Sequence, residues 1–310
     1  SGDSIYILEG EEEGEFIRGF SKELKAEVKI ERDIMRPIIK GNNIKRYGDL
    51  KNYGYVIFPY YINDGNVSII PENILKDKFP KCYEYLLLNE QSLRGREKGK
   101  MNKEGWYGYV YPKNLVLSNQ YKLVSPDITY GLNVTKDFYP YCLKNGAYGI
   151  TVHPSFKEKK DVVLSILNSS LLWYYLKKTG NVLRGGYFRF NTQFINPFPV
   201  PELPKDIHLF EVLTEKILNS NSELSSKTFN LCSIVMNRYS IQKISTNLQN
   251  WPSLDFKGFL KELKKAKVKL SLEEEAEWME YFNKQKAKVQ VLQKEVDRMD
   301  REIDEIVYEL

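Results

Sequence analysis

Three stretches of this chain combine basic side chains, side-chain amides and glycine breaks in a way that suits a polyanion. Lys40 to Lys51 carries Lys40, Lys45, Arg46 and Lys51 with Asn42, Asn43 and Tyr47, opposed only by Asp49. Arg94 to Gly105 carries Arg94, Arg96, Lys98, Lys100 and Lys103 with Asn102, broken by Gly95 and Gly99. Arg184 to Phe190 sets Arg184, Tyr187 and Arg189 around Gly185 and Gly186, and Asn191 and Gln193 follow. Arg and Lys donate to guanine edges, Asn and Gln pair with adenine, and the remaining cations hold phosphates. A solvated loop accounts for any one stretch. Three together favour DNA. The candidate DNA-binding residues are Lys40, Asn43, Lys45, Arg46, Arg94, Arg96, Lys98, Lys100, Asn102, Lys103, Arg184, Tyr187 and Arg189.

Other chemistries have thinner support. Asp127, followed far downstream by Glu158 and Lys160, fits the loose pattern of a metal-dependent nuclease, where two carboxylates hold Mg²⁺ beside a lysine. That pattern is degenerate, and Glu158 falls in a charged turn. Only His153 and His208 exist, neither in a triad context. Gly185-Gly186 lacks the helix and lysine of a phosphate loop. No Asn-Pro-Pro-aromatic tetrapeptide of an adenine methyltransferase occurs, so no catalytic residue and no metal ligand is assigned. Cys82, Cys142 and Cys232 are isolated and odd in number, which suggests reduced thiols and a cytoplasmic setting.

The elements that would position the basic stretches follow from periodicity. Ser4–Leu8 reads as a strand, Glu9–Glu15 as a solvated turn, and Phe16–Val28 as an amphipathic helix with Phe16, Phe20, Leu24 and Val28 on one face. Tyr55–Tyr61 reads as a strand. A helix over Ile74–Leu87, with Leu75, Phe79, Tyr83 and Leu87 inward, should break at Pro80. Arg94–Gly105 reads as a long mobile loop. Trp106–Tyr111, Leu115–Leu117, Leu123–Val124 and Phe138–Leu143 read as strands. Asn145-Gly146 is a turn signal that should bring Tyr148–Val152 back on Phe138–Leu143. A helix spans Asp161–Leu176 and ends at Gly180. Pro197, Pro199, Pro201 and Pro204 close a domain. Beyond them the chain is helical, with a segment at 210–218 that 229–239 continues and a short helix at 254–263. Ser271 and Glu274 are spaced as a capping box. They open a last helix whose Val289, Leu292, Val296, Met299, Ile303, Ile306 and Leu310 form a coiled-coil seam. The seam stops in mid-pattern, which suggests a piece of a larger polypeptide. The fold class is therefore α+β: a mixed or antiparallel sheet domain over 1–204, then a helical spacer over 205–310.

Charge follows the same division. Residues 1–35 hold 5 basic and 10 acidic side chains, 36–204 hold 24 and 13, and 205–310 hold 17 and 18. The middle block is the electropositive one. It contains all three basic stretches and no basic amphipathic helix, which suits nucleic acid better than a membrane surface. No apolar run approaches the roughly 20 residues that span a bilayer.

Ile30–Pro37, Ile39–Tyr47 and Val56–Tyr60 together resemble the opening of the TaqI-like carboxy-terminal specificity domain. Leu123–Asp127, Ile166–Ser170, Phe190–Phe194 and Pro197–Pro201 are similar to its middle and end, so the resemblance covers about residues 20–204. The tail, at Leu270–Trp278 and Glu302–Leu310, resembles the helical extension of large fused enzymes. That domain is the target-recognition part of adenine-specific DNA methyltransferases and Type IIG restriction–modification enzymes. The resemblance implies recognition of a short double-stranded DNA site. Methyltransferase and nuclease domains would lie upstream in the same polypeptide. S-adenosylmethionine and Mg²⁺ would belong to that parent enzyme, and this part would carry no cofactor or activity. It also makes Gly41 and Pro59 scaffold and gives Lys40, Lys45 and Arg46 to phosphates. Base reading would fall to Arg94–Lys103 and Arg184–Arg189.

Overall fold

The acidic run near the start of the chain is a strand. In the computed structural model, which describes residues 2–139, 141–144 and 146–310, β1 (Ile7–Glu13) pairs antiparallel with β2 (Phe16–Ser21), and β2 with β3 (Ala26–Glu31). Its glutamates meet cations from its neighbours: Glu13 with Lys29 at 2.9 Å and Glu9 with Lys22 at 2.7 Å. Such exposed pairs stabilise little individually, but they remove the repulsion that argued for a turn. The helix expected over Phe16–Val28 is thus a hairpin. Steps of four keep one face of a strand as well as of a helix. The side that turns inward is the other one, at Ile17, Gly19 and Ser21. The strand expected at Ser4 starts only at Ile7, because Asp3–Tyr6 forms a helical turn.

β4 (Met35–Ile39) and β5 (Gly54–Ile57) complete the centre of this sheet, with β5 buried along its whole length between β4 and β1. The strand expected to run to Tyr61 breaks at Phe58-Pro59. The chain resumes as the hairpin β6 (Tyr60–Asn63) and β7 (Asn66–Ile69). Pro80 splits the following helix as expected, into α1 (Glu72–Lys78) and α2 (Pro80–Leu88). The break also changes the phase of the apolar face. Cys82, Tyr85 and Leu86 are buried in place of Tyr83 and Leu87, and they close the core over Ile17, Ile30 and Ile57. A short α3 (Glu90–Arg94) follows.

Trp106–Tyr111 is irregular, not a strand, and Leu115–Asn119 is a 3-10 helix. The aromatic residues there bond through their side chains: the Tyr107 hydroxyl donates to the carbonyl of Ile70, and that of Tyr109 to Ile57. The chain then forms β8 (Lys122–Pro126), β9 (Ile128–Thr129), β10 (Thr135–Asp137), β11 (Cys142–Leu143) and β12 (Ala147–Ile150). β11 joins β4 in parallel and makes the first sheet mixed. β12 does not return to β11; it pairs with β8, which also pairs with β10. Of the Asn145-Gly146 turn, Asn145 lies outside the described residues. A fully buried ion pair, Lys122 to Asp137 at 2.6 Å, joins opposed residues of β8 and β10. Burial pushes the Asp137 carboxyl up even so, against the pull of Lys122.

The helix expected over Asp161–Leu176 is two, α4 (Lys160–Asn168) and α5 (Ser170–Thr179). Ser169 separates them; its hydroxyl oxygen accepts from the Leu172 amide at 3.2 Å, an N-cap bond. β13 (Val182–Leu183) and β14 (Tyr187–Arg189) add to β9 in a small antiparallel sheet. The rest is α6 (His208–Arg238), in which the segment at 229–239 continues that at 210–218, then α7 (Phe256–Lys265) and α8 (Leu272–Tyr308). The Ser271–Glu274 capping box is present in both directions. Leu231, Cys232 and Val235 near the end of α6 share a core with Trp278, Phe282 and Val289 early in α8, so the two helices run antiparallel. Of the expected seam, Val289, Met299 and Ile303 are buried, and Val307 takes the place of the half-buried Ile306. The class is α+β with a long carboxy-terminal helix.

By compactness the chain forms two units. One comprises Ser1–Arg46, Leu50–Lys157 and Leu176–Phe198; the other comprises Tyr47–Asp49, Glu158–Tyr175 and Pro199–Leu310. Among the described residues no helix is long and apolar enough to cross a membrane.

Candidate nucleic-acid interface

In the first unit, the sheet of β9, β13 and β14 carries a group of exposed aromatic and basic side chains. Gly185 and Gly186 turn the chain with φ of +86° and +78°, conformations that strain any side chain with a Cβ. Arg184 therefore stands exposed at a hairpin tip. Along β14 the faces alternate, with Tyr187 and Arg189 outward and Phe188 buried. Opposite them, Ile128 pairs with Arg189 and Thr129 with Phe188. The outward face thus presents Arg189, Ile128, Tyr187 and, just beyond β9, Tyr130, which is 68% exposed. The Tyr130 and Tyr187 rings meet edge to face at 5.9 Å. The Arg189 guanidinium donates through Nη1 to both carboxylate oxygens of Asp127, at 3.0 and 3.4 Å.

The Lys40–Arg46 stretch is tied to this sheet. Gly41 starts a 3-10 turn, and a Cβ on it would lie 1.9 Å from the carbonyl oxygen of Gly146, so only glycine fits. The Lys40 ammonium sits 3.8 Å above the Tyr53 ring. Asn43 is half-buried and Lys45 exposed. The Arg46 amide donates to Asn133 Oδ1 at 3.3 Å, and Asn133 Nδ2 donates to Thr129 Oγ1 at 2.9 Å. A chain of hydrogen bonds therefore links the first basic stretch through β9 to the third.

The second stretch is not a loose loop. It is built of α3 and a further helical turn at Arg96–Gly99, with Glu97 and Lys98 in the left-handed region. Its two arginines bond within the chain. Arg94 pairs with Glu90 at 2.7 Å and lies 5.0 Å from the Trp106 ring centre. Arg96 donates to the carbonyls of Leu93, Trp106 and Gly108 at 2.7 to 3.0 Å. Lys98, Lys100, Asn102 and Lys103 are exposed.

The same unit holds a cleft of about 750 Å³ lined by Tyr6, Phe58, Arg96, Tyr109, Lys122 and Cys142 among others. Burial pushes the Cys142 thiol up to about 11, so that group stays protonated at neutral pH. Asp127 of the nuclease pattern is the partner of Arg189 and belongs to the first unit, whereas Glu158 and Lys160 belong to the second. Among the described residues no group of three His, Cys, Asp or Glu side chains is disposed to hold a metal ion.

A family model described as the TaqI-like C-terminal specificity domain matches residues 36–200. The chain belongs to that family. A second model, a domain of unknown function (DUF8810), matches residues 204–307. The Type II methyltransferase M.BanIII of Aneurinibacillus aneurinilyticus is 26% identical over 218 residues, 67% of this chain and 36% of that protein. The Type II restriction enzyme and methyltransferase RM.Eco57I of Escherichia coli is 22% identical over 215 residues, 61% of this chain and 21% of that protein. The chain thus spans about a third and about a fifth of the lengths of these relatives. Within the specificity domain, Ile128 and Tyr130 were not legible as surface residues. Ile128 lies in, and Tyr130 just after, a two-residue strand too short to show alternation, and it is the pairing of Ile128 with Arg189 of β14 that sets Ile128 on the outward face.

Proposed function

We propose that this chain is the double-stranded DNA target-recognition part of a restriction–modification enzyme, without catalysis of its own. Supporting this is the outward face of Arg184, Tyr187, Arg189, Ile128 and Tyr130 in a member of the specificity-domain family. Cations, flat rings and one apolar side chain on a rigid strand suit a DNA groove, where guanidinium forks meet base edges. Lys40, Lys45 and Arg46, on the stretch bonded to β9, hold phosphates and set register. The exposed Lys98, Lys100, Asn102 and Lys103 extend the surface, while Arg94 and Arg96 shape it from behind. The helical unit seats the neighbouring methyltransferase and nuclease domains, which bring S-adenosylmethionine and Mg²⁺ chemistry.

Duplex binding measured by fluorescence anisotropy over a salt series tests this. Several phosphate contacts require log affinity to fall with log salt by about 0.9 per contact. Lys45→Ala should weaken all duplexes alike and reduce that slope by about one. A flat salt response, or no duplex binding, overturns the proposal.

A further inference from the structure

We infer that Arg189 is a guanine-reading side chain and that Asp127 is the positioning residue that aims it; this rests on the DNA reading above. Asp127 is a fixed post. Its amide donates to the Gly146 carbonyl at 2.9 Å, and its own carbonyl accepts from the Phe190 amide at 2.7 Å. Its side chain is only 19% exposed and meets the guanidinium through Nη1. That grip leaves the Nε and Nη2 edge of the guanidinium, two parallel donors, directed from an outward strand position 45% exposed. Two parallel donors are the complement of guanine O6 and N7.

Charge decides between a base and a phosphate. A guanidinium with a carboxylate 3.0 Å away has much of its field cancelled, and the carboxylate repels an approaching phosphate. A neutral base edge loses little from that cancellation, because it is recognised by donor geometry. Holding the side chain before binding also reduces the rotamer entropy lost on docking. Asp127 thus disfavours non-specific backbone contact at this position and favours one base there. Ile128, opposite Arg189 on β9, closes the side with an apolar wall that cannot substitute as a donor.

The test is selection of bound duplexes from a randomised pool by the full 310-residue chain, followed by affinity and salt titration of winners and losers. Wild type should enrich a guanine at one position. Arg189→Lys keeps the charge and loses the fork; it should cut that preference roughly five- to a hundredfold and leave the salt slope unchanged. Asp127→Ala should relax the same position while non-specific affinity holds or rises, and Asp127→Asn, which keeps an acceptor, should retain part of the preference. Thermal melts of each variant separate these outcomes from unfolding, which would weaken every duplex together. Variants that select the same consensus as wild type within about twofold overturn this inference and leave the DNA reading standing. A wild type that enriches no sequence overturns that reading and this inference with it.

Discussion

Arg96 and Arg189 carry the same guanidinium to different ends, and the difference lies in the acceptors around them. Arg189 meets one carboxylate and keeps an open edge, whereas Arg96 divides its donors among three main-chain carbonyls, that of Leu93 at the end of α3 and those of Trp106 and Gly108 in the irregular stretch after it. Sequence shows the charge of each arginine but not the acceptors that fold around it. A run of Arg, Lys and Gly reads as a solvated basic loop in both places. Arg96→Ala should therefore lower stability by about 2 kcal/mol, the range for losing hydrogen bonds from a charged donor to part-buried acceptors. Urea denaturation should show a lower midpoint, while the preferred duplex stays as in wild type. A changed preference at unchanged stability would place Arg96 on the DNA instead.

At the scale of elements, the sequence was most legible where a local rule had one solution. Pro80 could only break its helix, and Ser271 with Glu274 could only open one. It failed where two periods coincide. Phe16, Phe20, Leu24 and Val28 satisfy both a helix and a strand, and pairing with the glutamates of β1 decides for the strand. The connection between α6 and α7 is a further element held by one residue. The Glu262 carboxylate accepts from Lys265 at 2.6 Å, from Ser245 Oγ at 2.6 Å and from Asn247 at 3.4 Å, and Ser245 also caps the short helix Thr246–Gln249. Lys265 first, then Ser245, hold its carboxyl down at about 2. An unfolded glutamate titrates near about 4.3, so this stabilisation is fully present above that pH and is lost as pH falls towards 2. The melting temperature of the wild type should therefore drop through that window. Glu262→Gln should be less stable at pH 7 and show a flatter profile between about pH 4.5 and 2. Parallel profiles for the two proteins would assign the acid sensitivity elsewhere.

For the whole molecule, the boundary at 204/205 divides the chain by sequence, while its compact units divide it by packing. The proline cluster precedes the long helix α6, and a family model matches residues 204–307. Periodicity could not show that an earlier piece, Glu158–Tyr175, packs in the same unit as the carboxy-terminal helices. Within that unit Ser165 of α4 approaches Thr214 of α6 at 3.4 Å, both fully buried, and the Ser170 amide donates to Asp304 of α8 at 2.8 Å. α4 therefore lies over α6 at Thr214, in the stretch where Phe210, Leu213 and Ile217 are buried. A fragment of residues 205–310 keeps the α6–α8 hairpin and loses that cover. It should retain helical circular dichroism, bind a hydrophobic dye and self-associate, because an exposed stripe of this kind seeks a partner surface. A synthetic peptide of residues 158–175 added in trans should suppress both dye binding and association. A fragment that stays monomeric, binds no dye and melts cooperatively without the peptide would show that the helical unit is complete from residue 205 onward.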